Sequence, residues 1–209
     1  MEVQENKIPK RIIYCWFGRK EKPDNVKNCM ATWKEHMPDW EYLEINEDNF
    51  DINSIKYSKD AYADKMWGFI GDPIRLWALY TYGGIYLDTD VEVYKSFEDL
   101  LDNQLFVGFE QPHYFGNATI GAVKENKFIK EILDEYLNEK EKWEKKNNWW
   151  EYRTGPMVLT DILGKYVNRD TMQYQKTENI TVYPKKYFVN HEQLDNEVYC
   201  KHHMFGSWG

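Results

Sequence analysis

The sequence predicts a single α/β domain over residues 1–209, with a Rossmann-like sheet flanked by helices. Short runs rich in β-branched and aromatic residues, typical of strands, alternate with longer runs whose apolar residues recur every three or four positions, as in helices. The order strand, helix, strand occurs already at the N-terminus, and such units form sheets that bind ligands at the carboxyl ends of the strands. A chain of 209 residues can bury a full hydrophobic core.

The N-terminal part predicts one strand–helix–strand unit. Residues 8–18, rich in β-branched and aromatic side chains and ending in a glycine, predict a strand. Residues 23–36 predict a helix with one apolar face, and residues 40–46 alternate as a second strand. The polar stretch at 47–59 predicts a loop, and a second helical segment follows at 61–69.

The central segment predicts a helix, a double glycine and a strand. Asp72 is expected to cap a helix that begins at Pro73, because aspartate accepts hydrogen bonds from free backbone amides and proline has none to lose. The helix should end at Gly83 and Gly84, which adopt backbone conformations that strain other residues. A strand should follow over residues 85–94.

Two aspartates on this strand predict a cation site. The strict alternation of residues 85–94 places Asp88 and Asp90 on the same face, together with Tyr86. Two carboxylates about 5 Å apart repel each other by about 3 kcal/mol at an effective dielectric constant near 20. A divalent cation beside the pair would relieve this repulsion.

The C-terminal half continues the alternation of strands and helices. Strands are predicted at 105–110, 118–123 and 180–183, and helices at 127–143 and at 154 to about 166, the latter with Pro156 in its first turn. The first of these helices should bury its apolar side chains, which are Phe128, Ile132, Leu133, Tyr136 and Leu137. A polar loop at 187–197 could lie over the site.

The composition bears on the class of ligand and on location. A formal net charge of −8 argues against nucleic acid as a partner. The chain contains 9 Trp and 16 Tyr, so some aromatic rings are expected to line a cleft and stack on a base or a sugar. It has no uninterrupted apolar run of about 18 residues and no apolar signal-peptide core, which predicts a cytosolic location and leaves peripheral association with the inner membrane face open. Cys15, Cys29 and Cys200 lack metal-ligand spacing and predict reduced thiols.

One segment carries three motifs at fixed spacing: Gly-Asp-x-x-Arg-Leu at residues 71–76, Tyr-Gly-Gly-Ile-Tyr-Leu at 82–87 and Asp-Thr-Asp at 88–90. This combination resembles the sugar-binding region of DXD glycosyltransferases of family thirty-two. These include bacterial capsular-polysaccharide glycosyltransferases and the yeast initiating mannosyltransferase, and they are related to the large clostridial glucosylating toxins. The resemblance implies a GT-A type fold, with a nucleotide-binding part at about 1–110 and a donor, acceptor and metal-completing part at about 111–209.

The resemblance also implies roles for particular residues. Asp88 would contact the ribose and the sugar, and Asp90 would hold the metal, Mn²⁺ or Mg²⁺. Asp72 and Arg75 would hydrogen-bond the donor sugar and steady the departing phosphate. Trp16, after the first strand, would stack on the nucleotide base.

Further residues are implied at the pocket and near the end of the chain. Tyr86, which faces the same way as Asp88 and Asp90 in the alternation, is expected to line the pocket. The resemblance places Asn117 at the donor sugar and Gly155-Pro156 at the wall of the sugar pocket, so the loop before Gly155 would contact substrate. His203, three residues before a glycine as in the C-terminal His-x-x-Gly of the relatives, would complete the metal shell together with Asp88. Ser207 and Trp208 would contact the diphosphate. The chain is shorter than many relatives, so a C-terminal acceptor-binding extension could be missing.

The implied function is retaining, metal-dependent transfer of a sugar from a nucleotide donor, expected to be a UDP-sugar, to a glycan or polysaccharide-precursor acceptor. Two alternatives stay open. A metal-dependent nucleotide phosphohydrolase would need a water-activating histidine or a carboxylate cluster, and His113 is the only histidine in the middle of the chain. A non-catalytic nucleotide-sugar-binding module would bind the donor without turning it over.

Overall fold

The structure is a computed structural model, and it describes residues 7–148, 151–189 and 195–206. The helices are α1 (Asp24–His36), α2 (Lys56–Ala63), α3 (Trp67–Tyr82), α4 (Lys127–Leu137) and α5 (Gly155–Leu163). The strands are β1 (Arg11–Cys15), β2 (Glu41–Ile45), β3 (Gly84–Leu87), β4 (Val91–Val93), β5 (Leu105–Gln111), β6 (Tyr114–Phe115), β7 (Thr119–Ala122), β8 (Gln175–Lys176), β9 (Thr181–Tyr183) and β10 (Cys200–His202).

Eight of the described strands form one mixed sheet. Seven of them lie in the order β2-β1-β3-β7-β5-β9-β8, and β6 pairs with β5. β1 is parallel to β2 and β3, and β5 is parallel to β9, whereas the other neighbours are antiparallel. β4 and β10 form a separate antiparallel pair. The predicted α/β fold with a Rossmann-like mixed sheet is therefore confirmed.

The two faces of the main sheet bury two separate cores. On one face, Ile74 of α3 and Ile132 of α4 belong to the cluster that contains Tyr86. On the other face, Trp33 of α1 and Val91 of β4 belong to a second cluster. The indole N–H of Trp33 donates a hydrogen bond to the carbonyl oxygen of Val91 at 2.7 Å, which ties α1 to the small sheet.

The N-terminal unit agrees with the sequence prediction, but the polar stretch after it does not. β1, α1 and β2 lie inside the ranges predicted for them. The loop expected at 47–59 is shorter, because α2 begins at Lys56 and buries Tyr57, Ser58 and Ala61. Among the described residues, Cys15, Cys29 and Cys200 form no disulfide. No helix in the described part of the chain is long and apolar enough to cross a membrane.

Helix α3 begins six residues earlier than predicted. It starts at Trp67 and continues through Pro73, so Asp72 lies inside the helix and is not its N-cap. The prediction was wrong because Pro73 withholds only its own amide, and an apolar run from Trp67 to Ile70 extends the helix before it. The predicted end is confirmed, since the chain leaves the helix at Gly83 with φ 64°. A Cβ on Gly84, where φ is 134°, would lie 2.7 Å from the Arg11 carbonyl oxygen.

The strand predicted over residues 85–94 is broken in two. β3 ends at Leu87, the chain turns, and β4 begins at Val91 in the small sheet. The backbone N–H of Val91 donates to the carbonyl oxygen of Asp88 at 3.1 Å across this turn. Apolar and polar residues alternate on both sides of the turn, with only Thr89 out of pattern, so the sequence did not show that the strand changes partners.

Two further predictions need correction. The helix predicted at 127–143 ends at Leu137, which is 43% exposed and not part of the buried face. The following residues are mostly charged and supply little apolar surface to extend that face. β10 was not predicted, because three residues paired with a three-residue strand leave a weak periodic signal. The loop predicted at 187–197 lies partly outside the described residues.

Candidate active site

A cavity of about 480 Å³ opens beside the carboxyl ends of β1 and β3. Its polar lining includes Asp72, Arg75, Asp88, Asn117 and His202. Its aromatic and apolar lining includes Trp16, Phe17, Met66, Trp67, Phe69 and Met204. This combination of apolar walls with a few convergent polar groups is typical of sites for small molecules.

Asp88, Asp90 and His202 meet at this cavity. The Nε2 atom of His202 lies 3.3 Å from Oδ1 of Asp90 and 3.9 Å from Oδ2 of Asp88. One ligand atom from each of the three residues lies within 4.8 Å of the others. The antiparallel register of β10 on β4 pairs His202 with Val91 and so brings the imidazole to the turn.

The buried atoms of this group fit a divalent cation. Oδ1 of Asp90 and both ring nitrogens of His202 are buried, and each lacks a hydrogen-bond partner among the described residues. Buried polar atoms are almost always paired. Oδ1 of Asp90 and Nε2 of His202 lie 3.3 Å apart without forming a hydrogen bond, so a cation held by both would satisfy them. Two carboxylates and an imidazole are donors that divalent metal ions accept.

Electrostatics keep Asp90 ionised. Burial of Asp90 acts to raise its pKa, but the neighbouring His202 and the backbone N–H of Phe205, which donates to Oδ2 at 2.9 Å, bring the net shift below its ordinary value. Burial of His202 acts to lower its pKa, but the carboxylates of Asp90 and Asp88 outweigh burial and raise it.

The structure places His202, and not His203, in this group. Nε2 of His203 instead lies 2.8 Å from Oε2 of Glu92, and its ring stacks on Phe205 with centroids 4.8 Å apart. Consecutive residues of a strand point to opposite faces, so only one of two adjacent histidines can face the aspartates. The spacing to Gly206 pointed to His203, whereas the histidine that lies beside the two aspartates is His202.

Arg75 connects the polar residues of the cavity. Its Nε–H donates to the Gly71 carbonyl oxygen at 3.3 Å, and Nη1 donates to Oδ1 of Asp88 at 3.2 Å and to the Asn117 carbonyl oxygen at 2.8 Å. Nη2 lies 3.2 Å from Oδ1 of Asp72. One N–H on Nε, two on Nη1 and one on Nη2 are thus engaged, which leaves one of the five guanidinium N–H groups for a ligand.

Tyr86 lies two residues before Asp88 and holds its carboxylate by a hydrogen bond. Its hydroxyl donates to Oδ1 of Asp88 at 2.9 Å, and the Arg75 guanidinium lies 4.7 Å from the centre of its ring. Oδ1 of Asp88 is therefore fixed by two donors, and Oδ2 is the oxygen nearer to His202. Tyr86 also lines the cavity.

Asp72 lies in a buried network at the start of α5. Asn117 Nδ2 donates to its Oδ1 at 3.1 Å, and the Gly155 backbone N–H donates to its Oδ2 at 3.1 Å. Burial raises the pKa of Asp72 to about 6, although Arg75 opposes the shift. A Cβ on Gly155 would lie 2.2 Å from Nδ2 of Asn117 and 2.5 Å from Oδ1 of Asp72, so only glycine fits there.

Trp16 lies in the loop after β1 and lines the cavity. Its indole N–H donates to the Lys20 carbonyl oxygen at 2.7 Å. The same loop is held by Glu47, whose Oε1 accepts from the Gly18 backbone N–H at 2.7 Å. The ring of Trp67 lies against Gly18, 3.3 Å from where a Cβ would stand.

The structure brings Trp16, Asp72, Arg75, Tyr86, Asp88 and Asn117 together at the cavity, and Asp90 lies buried next to it. The predictions for Ser207 and Trp208 fall outside the described residues. Sequence reasoning missed His202 and also Met66, Trp67, Phe69 and Met204 as lining residues. Thr154 also lines the cavity and lies in the loop before Gly155-Pro156, where the resemblance implied a substrate contact.

Comparison with known proteins agrees with this geometry. Residues 23–107, less than half of the chain, match the family model described as the glycosyltransferase sugar-binding region containing the DXD motif. Inositol phosphoceramide mannosyltransferase 3 of Schizosaccharomyces pombe is 26% identical over 136 residues, which cover 62% of this chain and 37% of that protein. Inositol phosphoceramide mannosyltransferase 2 of the same organism is 27% identical over 170 residues, which cover 76% of this chain and 47% of that protein. The chain thus spans less than half the length of these relatives.

Among solved structures, the PaToxG glycosyltransferase superposes with a TM-score of 0.59 at 21% identity, covering 77% of this chain and 70% of that one. At this level of identity the likeness establishes the fold. The order of strands around the cavity is therefore a glycosyltransferase architecture of the GT-A type. Residues 23–107, which include Asp-Thr-Asp at 88–90, are thus similar to a glycosyltransferase sugar-binding region, and the chain shares its fold with PaToxG.

Proposed function

We propose that the chain transfers a sugar from a nucleotide-diphosphate donor, a UDP-sugar, to a hydroxyl of a glycan or polysaccharide-precursor acceptor. The observation that carries this proposal is the convergence of unpaired, buried atoms of Asp90 and His202 with Asp88 at a cavity of ligand size. The match of residues 23–107 to the sugar-binding region supports the same reading.

Asp88, Asp90 and His202 would hold a divalent cation, Mn²⁺ or Mg²⁺. When bound, this cation would offset the negative charge that develops on the diphosphate as the sugar–phosphate bond breaks. With a net charge of −8, the chain itself offers little positive charge to a nucleotide diphosphate. The cation site therefore accounts for how an acidic protein accepts a polyanionic donor.

Arg75 and Asp72 would act mainly by holding the site in place. Four N–H groups of Arg75 are used on neighbouring protein atoms, so its main effect is to orient Asp88 and Asp72. Its remaining N–H can reach a donor oxygen. Both Asp72 and Asn117 line the cavity, where their free hydrogen-bonding capacity would select the donor sugar. Trp16 would stack on the base.

Transfer with retention is the proposed stereochemistry. Among the described residues that line the cavity, Asp72 and Asp88 are the carboxylates, and each is held by two or more donors. Both oxygens of Asp72 accept hydrogen bonds, and the remaining oxygen of Asp88 would hold the cation, so in this proposal neither carboxylate attacks the sugar. The acceptor hydroxyl would attack on the face that the diphosphate leaves, and the diphosphate would take its proton. A covalent glycosyl-enzyme trapped and detected by mass spectrometry would contradict this route.

The proposed compartment is a reducing one such as the cytosol. Cys15, Cys29 and Cys200 are free thiols, and burial raises the pKa of Cys15 and of Cys200 to about 12, which keeps both of them unreactive. Labelling the native protein with a thiol reagent, with and without denaturant, tests this assignment.

The donor is tested by thermal shift with UDP, GDP and ADP, each with and without Mn²⁺. Stabilisation by UDP together with Mn²⁺, and by neither alone, is expected. Equal stabilisation by all three nucleotides would argue against a uridine donor. Asp90→Asn should abolish the Mn²⁺-dependent binding of UDP that calorimetry measures. It should not lower the melting temperature of the free protein.

Turnover is tested by NMR of donor hydrolysis across UDP-glucose, UDP-galactose, UDP-N-acetylglucosamine and GDP-mannose. Release of free sugar and intact nucleoside diphosphate from one donor is expected. Release of inorganic phosphate would instead support a phosphohydrolase. Binding of a donor with no turnover would support a non-catalytic module.

A further inference from the structure

Glu110 lies in a β-bulge near the candidate active site. In the pairing of β5 with β6, Phe109 faces Phe115 and Gln111 faces Tyr114, so Glu110 has no partner across the hairpin. A bulge of this kind turns the side chain of the extra residue out of the regular alternation, and bulges recur next to active sites.

The Glu110 carboxylate is half-buried and unpaired. It makes no side-chain hydrogen bond or ion pair to any other residue that the structure describes. The three carboxylates of the cation and sugar site, in contrast, all accept hydrogen bonds from the protein. Partial burial of a carboxylate without a partner costs free energy, so a bound hydrogen-bond donor would stabilise it.

The surroundings of Glu110 leave room for its side chain and join it to the site. A Cβ on Gly116 would lie 3.2 Å from both Cβ and Oε2 of Glu110. Because residue 116 is a glycine, no side chain at that position crowds the Glu110 carboxylate. Burial raises the pKa of Glu110, while His202 opposes the shift and Asp88 reinforces it. The charge of Lys185 also opposes the rise in the pKa of Glu110. Glu110 is thus within electrostatic reach of the cation site, yet it is not among the residues that line the donor cavity.

These features suit the acceptor better than the donor. An ionised carboxylate only accepts hydrogen bonds, and it repels a diphosphate. A neutral polyhydroxylated molecule supplies donors and carries no charge to repel. The cavity already provides the aromatic, amide and cationic groups that a nucleotide sugar needs.

We propose that Glu110 binds the acceptor, by accepting a hydrogen bond from a hydroxyl of a sugar or another polyol. This inference rests on the proposed transferase function. The binding step moves no proton. In the transfer that follows, the oxygen of a neighbouring acceptor hydroxyl bonds to the anomeric carbon, the bond from that carbon to the phosphate oxygen breaks with its electron pair, and the hydroxyl proton leaves with the diphosphate.

The test compares Glu110→Gln and Glu110→Ala with the wild-type chain and with Gln111→Ala, a change at the exposed neighbour in the same bulge. Each variant is incubated with the donor that the wild type hydrolyses, with Mn²⁺, and with a panel of methyl mannoside, methyl glucoside, methyl galactoside, myo-inositol and glycerol. NMR measures the fraction of the donor sugar that is transferred to a hydroxyl of a panel compound and the fraction that is transferred to water. Donor KM and melting temperature are measured in parallel.

The expected result is a loss of about tenfold or more in transfer to the panel for both Glu110 variants, the typical effect of losing a hydrogen bond to a charged group. Donor KM, hydrolysis and melting temperature should stay at the wild-type values, as should all properties of Gln111→Ala. An unchanged partition between acceptor and water would overturn the inference. A parallel fall in hydrolysis and melting temperature would assign Glu110 a structural role instead.

Two other outcomes separate this inference from the function on which it rests. If the wild type turns over a donor but never transfers to a panel hydroxyl, the polyol site at Glu110 is refuted and the transferase proposal stands on hydrolysis alone. If the wild type turns over no donor, the proposed function fails and the acceptor role fails with it.

Discussion

At the scale of single residues, two adjacent histidines occupy different environments. His202 faces Asp88 and Asp90, whereas His203 faces Glu92. We expect His202→Ala to lower the affinity for Mn²⁺ at least about tenfold, since a ligand is lost. His203→Ala should leave that affinity within twofold, because it removes only a partly exposed contact with Glu92, worth about 1 kcal/mol or less.

Isothermal calorimetry with Mn²⁺ and UDP measures both variants under the same conditions. The two substitutions are matched in size and lie one residue apart. A larger loss for His203→Ala than for His202→Ala would reverse the assignment of the metal ligand.

Asp72 makes stability depend on pH in an unusual direction. Burial raises its pKa from the ordinary 3.8 to about 6 in the folded chain. Between these values the folded state binds more protons than the unfolded state, so the free energy of unfolding falls as pH rises from about 4 to about 6, by up to about 3 kcal/mol. This contribution is fully present below the unfolded pKa and lost above the folded one.

Urea unfolding of the wild type and Asp72→Asn between pH 4 and pH 7 measures this effect. Asparagine cannot ionise, so the difference in unfolding free energy between the two proteins should shift in favour of the variant as pH rises. A difference that is constant with pH would show that Asp72 keeps its ordinary pKa.

At the scale of elements, the first residue of α5, Gly155, packs directly against the buried polar network of Asp72 and Asn117. Gly155 leaves no space for a Cβ beside Asp72 and Asn117. We expect Gly155→Ala to destabilise the chain by about 1–3 kcal/mol, as overpacking does, and to weaken donor binding because Asp72 and Asn117 must move.

Thermal unfolding and UDP calorimetry check this prediction, with Met157→Ala as the control in the same helical turn. Met157 is not among the residues that line the cavity, and the substitution adds no atom, so donor affinity should be unchanged. Equal effects of the two variants would point to a general weakening of α5 and not to contact with the network.

The elements that the sequence predicted well are those with their own local signals. β1, α1 and the glycine stop of α3 each follow from residues within a few positions. The break between β3 and β4 could not be predicted, because it depends on pairing with a strand more than 100 residues further along. The early start of α3 was hidden by Pro73, which reads as a helix start in sequence but is tolerated in the interior here.

The residues of the candidate site also divide into those that have a local sequence signal and those that depend on tertiary structure. Asp88, Asp90, Asp72 and Arg75 were found because they share one short motif. His202 was missed because strand register, and not spacing along the chain, decides which histidine faces the aspartates. The contacts that occupy Arg75 also depend on tertiary structure, so the sequence could name the residue but not its partners.

At the scale of the whole molecule, donor and metal should stabilise the fold together. Ligand at 100 times its dissociation constant adds about 2.7 kcal/mol to the free energy of unfolding. For a chain of this length, that corresponds to a rise in melting temperature of about 5–10 °C. Differential scanning calorimetry with UDP and Mn²⁺ measures it, and addition of EDTA should return the melting temperature to that of the free protein. Stabilisation that survives EDTA would show that the nucleotide binds without a cation.

The pairing of β4 with β10 has a consequence for biosynthesis. The aspartates at 88 and 90 leave the ribosome long before the imidazole at 202, and the hydrogen bonds from residues 203 and 205 to Asp90 form only after that. A nascent chain can therefore assemble much of its main sheet while it still lacks a competent metal centre. Under the proposed function, ribosome-stalled fragments that end before residue 200 should retain neither Mn²⁺ nor nucleotide.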